Sequence, residues 1–170
     1  MKRTINRAQF LRGDISGTRQ GIRPPWSKAE AQFTDLCQRC EDCISVCPER
    51  ILVKGSGGFP HVDFSRGPCT FCRACVEACR HQAFNTPQET EAAAWELDVS
   101  ITESCLSLRG IVCRSCGDAC ETAAIRFQLK TGGRSAPQVI DHLCTGCGEC
   151  FAVCPSRAIS ILPNQRDCAA

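Results

Sequence analysis

The chain has 170 residues and a formal net charge of +2, and 17 of its residues are cysteines. A tenth of the chain as cysteine is far above ordinary usage and indicates either a secreted disulfide scaffold or a metal or cluster protein. The N-terminus has no apolar run of the kind a secretory signal needs, and no stretch is long enough to span a bilayer. We therefore expect a cytoplasmic protein whose thiols stay reduced and free to bind metal.

The chain begins with a basic arm, which we place at residues 1–30. Residues 1–28 carry seven Lys or Arg and one acidic residue, Asp14. Two interpretations stay open: the arm folds onto its own body, or it docks on a partner. The docking candidates are Arg7, Arg12, Arg23 and Trp26.

A cysteine motif then occurs four times along the chain. The segment "CQRCEDCISVC" (37–47) has the spacing Cys-x2-Cys-x2-Cys-x3-Cys, and the same spacing recurs within 62–84 and 139–161. A further copy within 105–127 has its first gap widened from two residues to seven. After each fourth cysteine we expect one or two helical turns, with Pro48 and Pro155 at a first helical position.

Two glycine-rich segments connect these copies in pairs. "KGSGGFPHVDF" joins the first copy to the second and "KTGGRSAPQVI" joins the third to the fourth, and both are typical of hairpin loops. We therefore predict a module over 31–86, a linker over 87–96 with helical tendency, and a second module over 97–170. The predicted fold is α+β: two tandem bacterial-ferredoxin-like modules, each with short β-hairpins and short helices around two [4Fe–4S] clusters.

The spacing suits iron–sulfur cubes because one tight loop can hold three corners of a cube with three thiolates. In two-cluster ferredoxins the fourth cysteine of such a motif binds the other cube. By this rule we assign sixteen ligands. Group one is Cys37, Cys40, Cys43 and Cys79; group two is Cys47, Cys69, Cys72 and Cys75; group three is Cys105, Cys113, Cys116 and Cys154; group four is Cys120, Cys144, Cys147 and Cys150. Cys168 remains outside the four groups.

Other chemistries fit this pattern less well but stay open. Zinc closes with four ligands in two spaced pairs, and disulfides need an oxidising compartment. The widened copy leaves a second alternative, in which Cys105 does not bind and its site holds a three-iron or labile cluster. Four oxidised cubes with their thiolates would add about −8 to the net charge, so we do not expect a nucleic-acid partner.

The order of motifs resembles the NapF family, the ferredoxin-type accessory proteins of periplasmic nitrate reductase systems. The matching pieces are "GIRPPWS", "CQRCEDCISVC", "GSGGFPHVDF", "CTFCRACVEAC", "CLSLRGIVCRSCGDACE" and "CTGCGECFAVCPSRAI". The resemblance implies a cytoplasmic protein with several [4Fe–4S] clusters that binds the catalytic molybdenum subunit of nitrate reductase before export and helps it mature. Arg80, where many family motifs have proline, is a departure that affects the expected helix geometry.

Three functions are compatible with these observations. The first is an assembly factor that supplies a cluster or electrons to the catalytic subunit. The second is an electron-transfer ferredoxin, and the third is a redox sensor, for which no output module is visible. The chain contains no P-loop, nucleophile elbow or dinucleotide fingerprint, so we do not expect an enzyme with its own substrate.

Overall fold

The computed structural model of the chain describes residues 21–86, 94–131 and 134–164. In these ranges it contains two modules of short helices and two-stranded antiparallel sheets. No helix in the described ranges has the length and apolar character needed to cross a bilayer. The helical tendency predicted for the linker falls largely on residues 87–93, which lie outside the described residues.

The first module contains three short helices and one two-stranded hairpin. Its helices are α1 (Glu30–Leu36), α2 (Asp42–Ser45) and α3 (Ala74–Glu77), and its strands are β1 (Leu52–Lys54) and β2 (Pro60–Val62). The strands pair from Leu52 with Val62 to Lys54 with Pro60, which confirms the hairpin predicted from the first glycine-rich segment. Their buried core is aromatic and aliphatic, with members Phe33, Ile51, Leu52, Phe59, Val62, Phe64 and Phe84.

The second module has more strand and a smaller core. It contains β3 (Leu97–Ile101), α4 (Ser115–Asp118), β4 (Ile125–Lys130), β5 (Arg134–Val139), α5 (Glu149–Ala152) and β6 (Ile159–Pro163). The β4–β5 pair confirms the second predicted hairpin. Strands β3 and β6 pair over their full lengths, so the start of the module is fastened to its end. The cluster of buried residues here consists of Cys116, Ile125 and Ile159.

The helical turns lie before each fourth cysteine and not after it, so that part of the prediction is wrong. Pro48 and Pro155 sit in tight turns, and the N–H groups of Arg50 and Arg157 donate to the cysteine carbonyls three residues earlier, at 3.1 and 3.2 Å. Arg50 and Arg157 have positive φ (54° and 49°), which ends the turn and directs the chain into the next segment. Gln82, in the copy that has Arg80 in place of proline, has the same conformation (φ 55°), so this turn forms without proline.

The described end of the predicted arm contacts the first module. The Val62 N–H donates to the carbonyl of Ile22 (2.7 Å), and Ser27 forms an antiparallel bridge with Phe84. This bridge connects the start of the first module to its end, as the β3–β6 pair does more extensively in the second.

Candidate metal centres

The structure brings the four cysteines of group one together. α1 leads directly into Cys37, whose N–H donates to the carbonyl of Phe33 (2.9 Å), and Cys43 lies buried in α2. Burial raises the pKa of Cys43 most, and together with the neighbouring thiols of Cys37, Cys79 and Cys40 it brings this pKa to about 12. A small cavity of about 20 Å³ opens beside these four thiols.

Group two forms in the same module. Burial and the neighbouring thiols of Cys69, Cys43, Cys72 and Cys47 together raise the pKa of Cys75 to about 12. Cys43 belongs to group one, so the two groups are close neighbours. The cavity here measures about 20 Å³ and is lined partly by Trp26 and Phe71.

Group three includes Cys105 despite the widened spacing. Cys105 is buried. Burial and neighbouring thiols together raise the pKa of Cys116 to about 11, and the Cys105 thiol has the largest effect among these neighbours. Cys154 and Cys113 are the other contributors. The structure therefore places four thiols at this position, as it does in the other groups.

The seven residues of the widened gap in this copy fold into their own hydrogen-bonded turns. The Ile111 N–H donates to the carbonyl of Leu106 (2.9 Å), and this hydrogen bond closes the loop formed by the widened gap. Ser107 is buried, and its hydroxyl donates to the carbonyl of Ser135 at 2.6 Å, fixing the turns against β5. The chain thus returns at Cys113 beside the position it left at Cys105.

Group four has the same composition and a larger cavity than groups one and two. Burial and the thiols of Cys147, Cys144, Cys116 and Cys120 together raise the pKa of Cys150 to about 12. Cys116 belongs to group three, so groups three and four are neighbours. The cavity of about 410 Å³ is lined by all four cysteines of group four and also by Cys69 of group two.

Backbone N–H groups point at several of these sulfurs. The N–H of Phe71 lies 3.4 Å from the Sγ of Cys69, that of Ala124 lies 3.3 Å from Cys120, and that of Ala158 lies 3.2 Å from Cys154. For Cys154, burial alone would raise the pKa, but hydrogen bonds from the Ala158 N–H, from the Ser156 hydroxyl and N–H and from the Ile159 N–H lower it overall. Donors of this kind stabilise thiolates and tune the potential of a bound cluster.

The donor sets fit iron–sulfur cubes better than single ions. Zinc holds its sulfurs at about 2.3 Å, which requires sulfur atoms about 3.8 Å apart. Among the described residues, no three Cys, His, Asp or Glu side chains lie close enough to share one ion. The sixteen described cysteines are all free thiols, whereas Cys168 lies outside the described residues. A bound metal compensates the charge of buried thiolates, and a cube, which separates its four thiolates with iron and sulfide, suits wider groups.

The predicted docking residues have internal partners where they are described. Arg23 forms an ion pair with Glu30 (2.7 Å), lies over the ring of Phe33, and donates to the carbonyl of Pro60. Trp26 is 8% exposed. Arg7 and Arg12 lie outside the described residues. The described pair therefore gives no support for a docking surface.

Comparison with known proteins agrees with this geometry. The 4Fe-4S dicluster domain family matches residues 36–83 and 110–158, so the chain is a ferredoxin-type iron–sulfur protein with two dicluster modules. Ferredoxin-type protein NapF of Escherichia coli (strain K12) is 42% identical over 160 residues, which cover 94% of this chain and 96% of that protein. NapF of Haemophilus influenzae is 45% identical over 92% of this chain and 93% of its own length.

The chain therefore belongs to the NapF family of ferredoxin-type proteins, as its motifs indicated. A more distant relative, ferredoxin-type protein NapG of Escherichia coli (strain K12), is 32% identical over 87% of this chain and 72% of that protein.

Proposed function

We propose that each of the four cysteine groups binds one [4Fe–4S] cluster, with the ligands assigned from the sequence. The observation that carries this proposal is the recurring arrangement of each group, in which three thiols from one motif meet the fourth thiol of its partner motif. Iron and sulfide analysis of protein purified without oxygen should approach about 16 of each per chain, four per cube. A content near one half of this would contradict the proposal.

Group three is the critical case because of its widened motif. Cys105→Ala should lower the iron content to about 12 per chain where the cube is lost, or to about 15 where it is converted to a three-iron cluster. Cys168→Ala is the matched control, because it removes the cysteine that lies outside the four groups, and it should retain every cluster. Full iron content in the Cys105 variant would show that this thiol is not a ligand.

We further propose that the protein acts in the cytoplasm in the maturation of the periplasmic nitrate reductase catalytic subunit, before that subunit is exported. Support comes from membership of the NapF family and from the fit of the thiol groups to clusters. An apo acceptor could receive such a cluster or be reduced by it. The experiment mixes purified holo protein with the apo catalytic subunit and measures binding. Absence of binding, together with normal nitrate reductase maturation in a strain lacking this protein, would contradict the role.

A second candidate function is electron transfer to a reductase without cluster donation. The close neighbourhood of the thiol groups favours it, because single electrons pass readily between adjacent centres in a shared protein interior. Cluster retention separates the two functions. A donor loses iron to the apo acceptor during the mixing experiment, whereas a carrier retains it and reduces the acceptor. In both cases we propose no substrate turnover by this chain itself.

A further inference from the structure

The cysteine groups of the two modules meet at one backbone hydrogen bond. The N–H of Cys69, in group two, donates to the carbonyl oxygen of Cys147, in group four, at 2.8 Å. Adding the N–Cα, C=O and Cα–C bonds to this distance limits the separation of the two Cα atoms to about 7 Å. Groups two and four are therefore adjacent across the module boundary.

Two other features describe the same contact. Burial and neighbouring thiols together raise the pKa of Cys69 to about 11, and these thiols include Cys147 as well as Cys47 and Cys72 of its own group. The large cavity beside group four is closed on one side by residues 68–71 of the first module. A thiol of group two thus faces the space that group four surrounds.

Aromatic side chains hold the modules in this position by packing on two glycines of the fourth motif. Phe64 of the first module lies against Gly148, where any Cβ would overlap its ring. Trp95 packs 6.0 Å from Phe64 and 5.9 Å from Phe71, measured between ring centroids. A Cβ on Gly146 would approach the Trp95 Nε1 and a methyl group of Leu97 to 3.1 Å each.

The two glycines serve this contact and are not required by the local backbone. Gly148 has φ 84°, but the equivalent residues of the first and second motifs, Glu41 and Arg73, have φ 67° and 62° with full side chains. Arg39 and Phe71 likewise have positive φ at the position equivalent to Gly146. The fourth motif differs from its copies where the first module packs on it, so the missing side chains make room for the junction.

We propose that the four centres form a single series in the order one–two–four–three, joined across the modules at Cys69 and Cys147, instead of two independent pairs. The proposal rests on the proposed function, in which each group holds one cluster. Groups one and two adjoin through Cys43 and Cys75, and groups three and four through Cys116 and Cys150. When clusters are bound, they supply one-electron steps in which one centre is oxidised as its neighbour is reduced, without proton transfer or bond cleavage.

The test opens the junction with Gly148→Gln and compares it with Glu41→Gln. The second variant places the same neutral side chain at the equivalent position of the first motif, where φ is also positive. Electron paramagnetic resonance of the dithionite-reduced protein measures spin coupling between centres, and solution scattering measures the radius of gyration. In Gly148→Gln we expect the resonance signals to lose the broadening caused by spin coupling between the modules and to saturate at lower microwave power. We also expect the radius of gyration of this variant to increase. Glu41→Gln should match the wild type.

Three outcomes would overturn the proposed series. An unchanged spectrum in Gly148→Gln with all its iron would overturn it, and so would the same change in both variants. If Gly148→Gln loses a cluster, Trp95→Ala opens the junction without added bulk, and its unchanged spectrum would also refute the order. Wild-type iron content well below four clusters would instead contradict the proposed function. The iron analysis therefore separates the two failures.

Discussion

Replacing Phe33 by alanine should weaken the first module and its first cluster together. Phe33 is fully buried in α1, and its ring packs edge-on against Phe84 with the centroids 5.8 Å apart. The guanidinium of Arg23 lies 5.1 Å from the ring centroid. The carbonyl of Phe33 accepts the N–H of Cys37, the first ligand assigned to group one. The side chain thus anchors the helix that delivers this thiol.

The expected loss of stability follows from this packing. Phe→Ala substitutions in well-packed cores cost about 3–5 kcal/mol, because apolar contact is lost and a cavity remains. A change of 1 kcal/mol shifts the unfolding temperature of a domain of 60–100 residues by about 4–8 °C. The variant should therefore unfold at least about 12 °C below the wild type.

The assay is thermal bleaching of the iron–sulfur absorbance without oxygen, at one fixed scan rate because cluster loss is irreversible. Leu36→Ala is the matched control, since Leu36 lies in the same helix but is 38% exposed. We expect it to cost about 1 kcal/mol or less, because only part of its surface leaves water on folding. Midpoints of the two variants within about 3 °C of each other would refute the argument that Phe33 anchors group one.

Three further perturbations have defined outcomes. Ser107→Ala removes the hydroxyl that donates to the Ser135 carbonyl and should cost about 1 kcal/mol of stability, which is measured as a lower midpoint temperature of bleaching. An unchanged midpoint would show that this hydrogen bond does not hold the widened copy. Gly117→Ala places a Cβ 2.7 Å from the Phe127 ring and should speed anaerobic loss of iron from the second module, and unchanged loss would contradict this packing. Burial, with Arg23 adding to it against the opposing effect of Asp63, lowers the pKa of His61, so its contribution is complete above pH 6.5 and is lost as pH falls. The bleaching midpoint of the wild type should therefore fall between pH 7.5 and 5.5, and that of His61→Gln should fall by less. Equal decreases in the two proteins would refute a contribution of His61 to this pH dependence.

Local sequence signals predicted much of this structure. Glycine-rich segments between short apolar runs indicated both hairpins, and the structure pairs Leu52 with Val62 and Ile125 with Val139 as those signals require. The cysteine spacing predicted which thiols would gather, because a motif that holds three corners of a cube fixes where the fourth thiol must point. Even the widened copy follows this rule, with Cys105 returned beside Cys116.

Long-range and steric features were not predicted. The β3–β6 pair joins segments about sixty residues apart, and only the closed module brings their matching edges together. Proline suits a first helical position and therefore predicts a helix after the fourth cysteine. In the structure the positive φ of Arg50 and Arg157 ends the turn there. A signal for the module junction was present in the sequence, since the fourth motif alone has glycine at both positions equivalent to Arg39 and Glu41.

The two modules differ in how far they can fold without metal. The first has an aromatic core around Phe33, Phe59 and Phe84, whereas buried large aliphatic side chains in the second are limited, among the described residues, to Ile125 and Ile159. A small core contributes little against chain entropy, so groups three and four must supply more of the second module's stability through bound metal. Chelation of iron should therefore unfold the second module first, with earlier amide exchange in β3 and β6 than in β1 and β2. This asymmetry bears on the cluster donation proposed above, because loss of a cluster from group three or four would unfold its own site and oppose reloading. Loss from group one would leave a packed site ready to be refilled. Equal protection of both modules after chelation would show that their cores contribute equally.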